Sequence, residues 1–295
     1  MTTKTKTKHG SLLRRALPLL VLALSVSTPA GAWTAWTNSG RGDWNVSGNW
    51  SHGVPGPTED NVNISMGTAV MTGLNVTTLK VEGSVCLGVS GGLELHNSTL
   101  NAYGLHTFSG GTIKLYSGSV LNTDILQVSE QGGGAFSLLG LSALYASHNF
   151  QQNAEGLLTL DLAGWRNLGT ALITTGETIM NGGTLDLLSL ESLQQDDRLV
   201  LIDSNKLNTG RWQTLTIGGV EQTLNPIDSD TWQFAYDGGL YELDYNYGTY
   251  DVTLSALIVP SSISVPEPAT YAAVAGLALL ALAAVCRYRG VRGGA

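Results

Sequence analysis

Five times along the chain, a glycine or a short run of glycines leads directly into a stretch with apolar side chains at alternate positions. The stretches are Gly91-Gly92-Leu93-Glu94-Leu95, Gly110-Gly111-Thr112-Ile113-Lys114-Leu115, Gly132-Gly133-Gly134-Ala135-Phe136-Ser137-Leu138, Gly156-Leu157-Leu158-Thr159-Leu160 and Gly182-Gly183-Thr184-Leu185-Asp186-Leu187. A period of two is the signature of a strand with one buried face. The last glycines stand at 92, 111, 134, 156 and 183, giving spacings of 19, 23, 22 and 27 residues. A strand-and-turn unit of that size cannot bury its apolar face alone and must stack on its neighbours. The spacing therefore predicts an all-β fold, a right-handed parallel β-solenoid of the β-helix kind. The alternative is an antiparallel β-sandwich, whose strands would recur at 8–12 residues.

The remaining sequence agrees with strands. Val62, Ile64 and Met66 alternate, and no 18-residue window between the two ends of the chain keeps a helical apolar face. Gly, Thr, Ser, Asn and Leu dominate there, while Glu, Lys and Arg are sparse, which disfavours helix.

Both ends carry different signals. Residues 1–32 open with Lys4, Lys6, Lys8, Arg14 and Arg15, continue with a short apolar core from Ala16 to Val26, and finish with small residues at Ala30 and Ala32. This is the layout of a secretory signal peptide cleaved before Trp33. At the other end, Val265-Pro266-Glu267-Pro268-Ala269 precedes an uncharged apolar run, 269–286, which is followed by Arg287, Arg289 and Arg292. As a helix, those 18 residues reach ~27 Å, about one hydrocarbon core, and the arginines would stay on the cytoplasmic side. The prolines on either side of Glu267 lack amide donors and hold an extended peptide.

The string Val265-Pro266-Glu267-Pro268-Ala269-Thr270, the Ala/Leu/Gly helix and the basic tail resemble the PEP-CTERM sorting signal of Gram-negative bacteria. Tyr288 interrupts the arginines, a mild departure from that pattern. The resemblance implies a membrane exosortase as processing partner. It also implies a transient inner-membrane anchor with the body in the periplasm, and a final place at the cell surface or outside the cell. A plain membrane anchor would need the helix and the arginines but not the Pro-Glu-Pro motif.

The part of the chain between the ends divides by composition. Residues 33–60 hold Trp33, Trp36, Trp44 and Trp50 among Gly, Asn and Ser. The pattern Gly42-Asp43-Trp44-Asn45, Asn49-Trp50-Ser51, Val54-Pro55-Gly56, Asp60-Asn61-Val62 resembles the opening of secreted bacterial β-helical and autotransporter-like repeat proteins. We read it as an N-terminal cap, since bulky aromatics can cover the open end of a solenoid. Residues 61–210 are the rungs, and 211–257 an aromatic C-terminal cap with a hairpin at Asp237-Gly238-Gly239. A linker, 258–264, then leads to the sorting segment, 265–295.

Charge and chemistry narrow the function. Residues 33–260 carry 7 basic and 22 acidic side chains, a net charge of −15, which argues against nucleic acid as a partner. Cys86 is the one cysteine of that stretch, so it has no disulfide partner there, and its alternating surroundings suggest a buried small hydrophobe. His52, His96, His106 and His148 stand in no HExxH or Cys/His pattern, so no metal ligand set is expected. No GxSxG or phosphate-binding loop occurs, and no cofactor is expected. Asp196-Asp197-Arg198 and Asp228-Ser229-Asp230 read as solvated turns. The catalytic set is therefore empty. The expectation is a non-enzymatic surface or extracellular-matrix structural protein, delivered by the general secretion machinery. The alternative is a carbohydrate-binding or polysaccharide-degrading β-helix protein, with extracellular polysaccharide as partner and Trp36, Trp44 and Trp50 as sugar-stacking rings.

Overall fold

A computed structural model describes residues 33–56, 61–77, 84–88, 90–165, 170–207 and 210–259. The expected signal peptide and the segment from 260 onward, including the membrane helix at 269–286, lie outside these residues. Among the described residues, strands account for nearly all regular structure. No helix there is long and apolar enough to cross a membrane.

The chain winds into a two-sheet solenoid, with eight strands stacked in parallel in each sheet. The first sheet stacks β1 (Trp33–Ala35), β3 (Asn61–Ile64), β6 (Ser84–Leu87), β8 (Thr99–Thr107), β10 (Val120–Val128), β12 (Ala143–Gln152), β14 (Ile173–Met180) and β16 (Arg198–Ser204). The second stacks β2 (Arg41–Asp43), β4 (Thr68–Thr72), β7 (Gly92–His96), β9 (Thr112–Leu115), β11 (Ala135–Leu138), β13 (Leu157–Asp161), β15 (Thr184–Leu188) and β17 (Thr214–Ile217). A short strand, β5 (Asn75–Thr77), adds to the start of β8. Within both stacks the pairing is parallel and in register, which excludes the sandwich alternative.

Register turns the alternating pattern into columns. In the second sheet Ala69, Leu93, Ile113, Phe136, Leu158, Leu185 and Leu215 face one another in successive turns. Met71, Leu95, Leu115, Leu138, Leu160, Leu187 and Ile217 form the next column. All of these are buried. Leu100, Leu121, Leu144, Ile173 and Ile202 oppose them from the first sheet. Each fully buried Leu or Ile contributes roughly 1.5–3 kcal/mol, so these columns carry most of the stability.

The glycines that announce the repeat all sit at one corner. The carbonyls of Gly67, Gly91, Gly111, Gly134, Gly156 and Gly183 accept the amides of Gly92, Thr112, Ala135, Leu157, Thr184 and Thr214, at 2.8 to 3.2 Å. Side chains are excluded there because neighbouring turns come too close. A Cβ on Gly183, which has a φ of +88°, would sit 2.6 Å from Gln152 Nε2 and 2.7 Å from the carbonyls of Asn153 and Gly156.

A second corner lies within the first sheet, where β8, β10, β12 and β14 lose strict alternation midway. Bulges at Thr123–Ile125 and Ala146–Asn149 bend the strands, and the buried positions are spread by one extra residue in β8, β10 and β14 and by two in β12. The inner side of this bend is a column of small buried residues, Ala102, Thr123, Ala146, Thr175 and Ser204. Their hydroxyls close the bend locally. Thr123 Oγ1 reaches the Ile125 carbonyl at 2.9 Å, Thr175 Oγ1 that of Glu177 at 3.0 Å, and Ser204 Oγ that of Lys206 at 2.7 Å.

The parallel stack ends in antiparallel strands. The first sheet continues through β22 (Val252–Ile258), β21 (Gly239–Asp244), β20 (Thr231–Tyr236) and β19 (Asn225–Pro226), and β18 (Val220–Gln222) closes the second. The hairpin at Asp237-Gly238 is present, joining β20 to β21. Solenoid pairing reaches Ile217, beyond residue 210, because β17 still stacks on β15. Beneath the cap, the fully buried Gln152 donates from Nε2 to the carbonyls of Gly156 (2.8 Å) and Thr184 (3.0 Å). Its Oε1 accepts Trp212 Nε1 at 2.9 Å. Tyr245 OH accepts the Trp212 amide at 3.3 Å, and burial pushes this phenol well above its usual range.

Two sequence expectations change. Met66 lies past the end of β3 in an exposed turn, because the strand stops at Ile64. Cys86 faces outward between the buried Val85 and Leu87, half-buried beside Asn63 and His106 in register, and is not a core residue. Burial, and secondarily the charge of Glu130, push its thiol pKa up.

The corner geometry makes a test. Gly183→Ala should destabilise the fold by about 3 kcal/mol, through the left-handed backbone and the backbone clashes together. Gly48→Ala, which has nothing within 4 Å, should change stability by less than ~0.5 kcal/mol. Denaturant unfolding of the two variants beside wild type measures both.

Candidate functional site

The residues expected to carry sorting, Val265, Pro266, Glu267, Pro268 and Ala269, lie outside the described residues. So do the membrane-stop arginines Arg287, Arg289 and Arg292 and the cleavage-site residues Ala30 and Ala32.

The three tryptophans expected to stack sugars are described, and they are inside. Trp36, Trp44 and Trp50 are 3%, 0% and 5% exposed. Trp50 packs edge-on against both partners, with ring centroids 4.9 Å from Trp36 and 4.8 Å from Trp44, and its Nε1 donates to the Trp44 carbonyl at 2.7 Å. An isolated bridge links Trp36 to Trp50, folding residues 44–50 back across the first turn. No ring face is open to a ligand, so this cluster cannot bind a sugar by stacking. The reason is physical: among the described residues no turn precedes the first, and these rings cover its apolar end. The same segment also supplies strands β1 and β2, so it is at once cap and first turn.

Charged side chains gather on the outer face of the second sheet. Arg41 on β2 reaches across β4 to Glu94 on β7, with Nη2 and Nε at 2.8 and 3.1 Å from Oε2. His96 Nε2 lies 3.2 Å from the same oxygen, and its ring stacks on Tyr116 at 4.1 Å and 10°. Burial alone would raise the Glu94 pKa. Hydrogen bonds from Arg41 and His96, with their positive charge, outweigh it and hold the carboxyl below its ordinary 4.5. The arrangement staples the first turn to the body.

A more open site lies on the outer face of the first sheet. A cavity of about 550 Å³ is lined by Tyr145, Trp165, Thr174, Arg198, Asp203 and Asp251, among others. Tyr145, Thr174 and Asp203 stand in register on β12, β14 and β16. Asp251 enters from the start of β22, which pairs with β16, and Trp165 from the turn after β13. Tyr145 is 45% exposed, whereas Trp165 is half-buried against the core. Burial raises the Asp251 pKa, and the charge of Asp203 adds to it, against the pull of Arg198 and a hydrogen bond from Thr249. None of these residues stands out in sequence, because they come from five separate segments. The one available signal was the outward phase of each alternating strand.

A second cavity, about 590 Å³, lies beside the C-terminal cap. Its aromatic lining is already in use: the Arg211 guanidinium sits 4.5 Å over Trp232, which also meets Tyr245 edge-on and is buried. Among the described residues, no group of His, Cys, Asp and Glu is assembled to hold a metal ion. Asp196 and Asp197 sit in a turn, where Asp197 Oδ2 accepts the Gln194 amide at 2.7 Å. Asp228 likewise closes its own turn, accepting the amides of Asp230 and Thr231 at 2.8 Å.

No protein-family model matches the chain, and no curated protein or solved structure matches it.

The Arg41–Glu94–His96 staple predicts an acid dependence. Because the Glu94 pKa is lowered in the folded state, its contribution is complete above the ordinary 4.5 and disappears as pH falls through the lower folded value. Glu94→Gln should therefore melt lower than wild type near neutral pH, and the two should converge in acid. Melting curves from about pH 7 to about pH 3 measure this.

Proposed function

We propose that the chain is an exported, non-enzymatic structural protein of the cell surface or extracellular matrix, sorted and cleaved near its C-terminus by an exosortase. The observation that carries this reading is the order Pro266-Glu267-Pro268, then 269–286 without a charge, then Arg287, Arg289 and Arg292. The body suits such a role. Its strands pair along the whole stack, both ends are closed by aromatic clusters or antiparallel strands, and it needs no disulfide to hold its turns. We take the coil as right-handed, the hand that parallel crossovers adopt almost without exception.

The body and its address are closely coupled. β22 ends at Ile258, seven residues before Val265. A fully extended chain covers at most ~25 Å over that distance. Before processing, the folded solenoid would thus sit just outside the membrane, with the Pro-Glu-Pro peptide accessible between the two.

Replacing Pro266, Glu267 and Pro268 with alanine should leave export intact and abolish release. An epitope tag inserted near Thr37 and another after Ala295, followed through cell fractionation with and without the exosortase, measure it. Wild-type cells should show the first tag outside and lose the second. Continued release of the triple-alanine variant would overturn the assignment.

A further inference from the structure

The cavity on the outer face of the first sheet has the chemistry of a binding site. Tyr145, Thr174 and Asp203 are stacked one per turn, so their spacing along the solenoid axis is ~4.8 Å per step. The same outward column includes Asn101 and Asn122 in the two turns before Tyr145, with Asn122 Nδ2 donating to Asn101 Oδ1 at 2.8 Å. A polar strip thus runs along the axis into the cavity, where Tyr145 and Trp165 bring aromatic surface. Arg198 adds a planar donor, and Asp203 and Asp251 add planar acceptors.

That combination suits a ring with an apolar face and a rim of hydroxyls. Aromatic rings take the apolar face, while carboxylates, a guanidinium and a threonine hydroxyl pair with neighbouring hydroxyl groups. The repeat of one turn is close to the rise of one sugar residue in an extended glycan, so successive sugars meet successive turns. An extended peptide is disfavoured, because the cavity lies on a sheet face whose backbone amides are already paired within the stack, and peptide addition needs a free edge. An anionic chain is disfavoured by the two carboxylates facing one arginine, and by the net charge of −15 over residues 33–260.

We propose that this groove binds a neutral polysaccharide lying along the solenoid axis, with one sugar stacked on Tyr145 and its neighbours held by Thr174, Arg198, Asp203 and Asp251. The assignment rests on the groove alone and does not depend on how the C-terminal segment is processed.

The test is affinity electrophoresis of the full chain in mild detergent, through gels containing mixed-linkage β-glucan, xylan, galactomannan or dextran, with polygalacturonate as the anionic counterpart. Wild type should be retarded by at least one neutral polymer and not by polygalacturonate. Tyr145→Ala should weaken that retardation about tenfold, in line with the loss of one stacked ring. Tyr145→Phe should keep most of it, and Asp203→Asn should weaken it. Tyr145 and Asp203 are both exposed, so their variants should melt with wild type. If Tyr145→Ala melts lower, Asp203→Asn decides. Failure of every neutral polymer to retard the protein would overturn the proposal. So would retardation unchanged by both substitutions, or retention by polygalacturonate alone.

Discussion

Everything in this fold depends on each turn finding its hydrogen-bond partners in the turns above and below. The parallel strands pair their amides and carbonyls chiefly with those of adjacent turns, so an unstacked turn would present two rows of unsatisfied groups. Stacking also sets the side chains in columns, and that is why the inward positions are so uniform. A leucine facing a leucine at the same height fills the core without a gap, whereas a change of size must be absorbed by both neighbouring turns. The corner glycines follow from the same condition. Turns close enough to share hydrogen bonds at Gly91, Gly111 and Gly134 leave no room for a β-carbon.

The ends need a different solution, because stacking has no natural stop. At the N-terminus the chain folds three tryptophans over the exposed core and bridges Trp36 to Trp50 across it. At the C-terminus the direction of pairing reverses. An antiparallel meander takes over the first sheet from β16, and Trp212 and Tyr245 fill the space beneath it, tied down by the buried Gln152. Both devices withhold an apolar end or a long parallel edge from other copies of the chain.

With the inside committed to packing, the outer faces remain for function. Many outward positions are Asn, Thr, Ser and Asp, which solvate the sheets, and some pair with counterparts in adjacent turns. The cavity around Tyr145 departs from this pattern. It brings two aromatic side chains to the outside of the stack, beside a mixed set of charges. A rigid array of turns holds such a strip at fixed spacing, which a flexible loop could not do.

How much of this was legible beforehand follows from what each pattern encodes. Period-two alternation at Leu185 and Leu187 or Ile113 and Leu115 reports a strand and its buried face, and the glycine intervals report the turn length, because both are local consequences of stacking. The corner in the first sheet was not legible: its bulges interrupt the alternation after Thr123 and Ala146, and short hydroxyl or methyl side chains look like any other small residues. The tryptophans at 36, 44 and 50 were visible as a cluster, but their direction was not, since an exposed ring and an end-covering ring have the same spacing. The groove was invisible, because Tyr145, Trp165, Arg198, Asp203 and Asp251 become neighbours only through stacking. The fold class and the repeat are thus legible from the chain alone, because both are written in contiguous residues. Only the tertiary structure decided which rings are buried and which distant side chains share a surface, because those depend on register between turns some twenty residues apart.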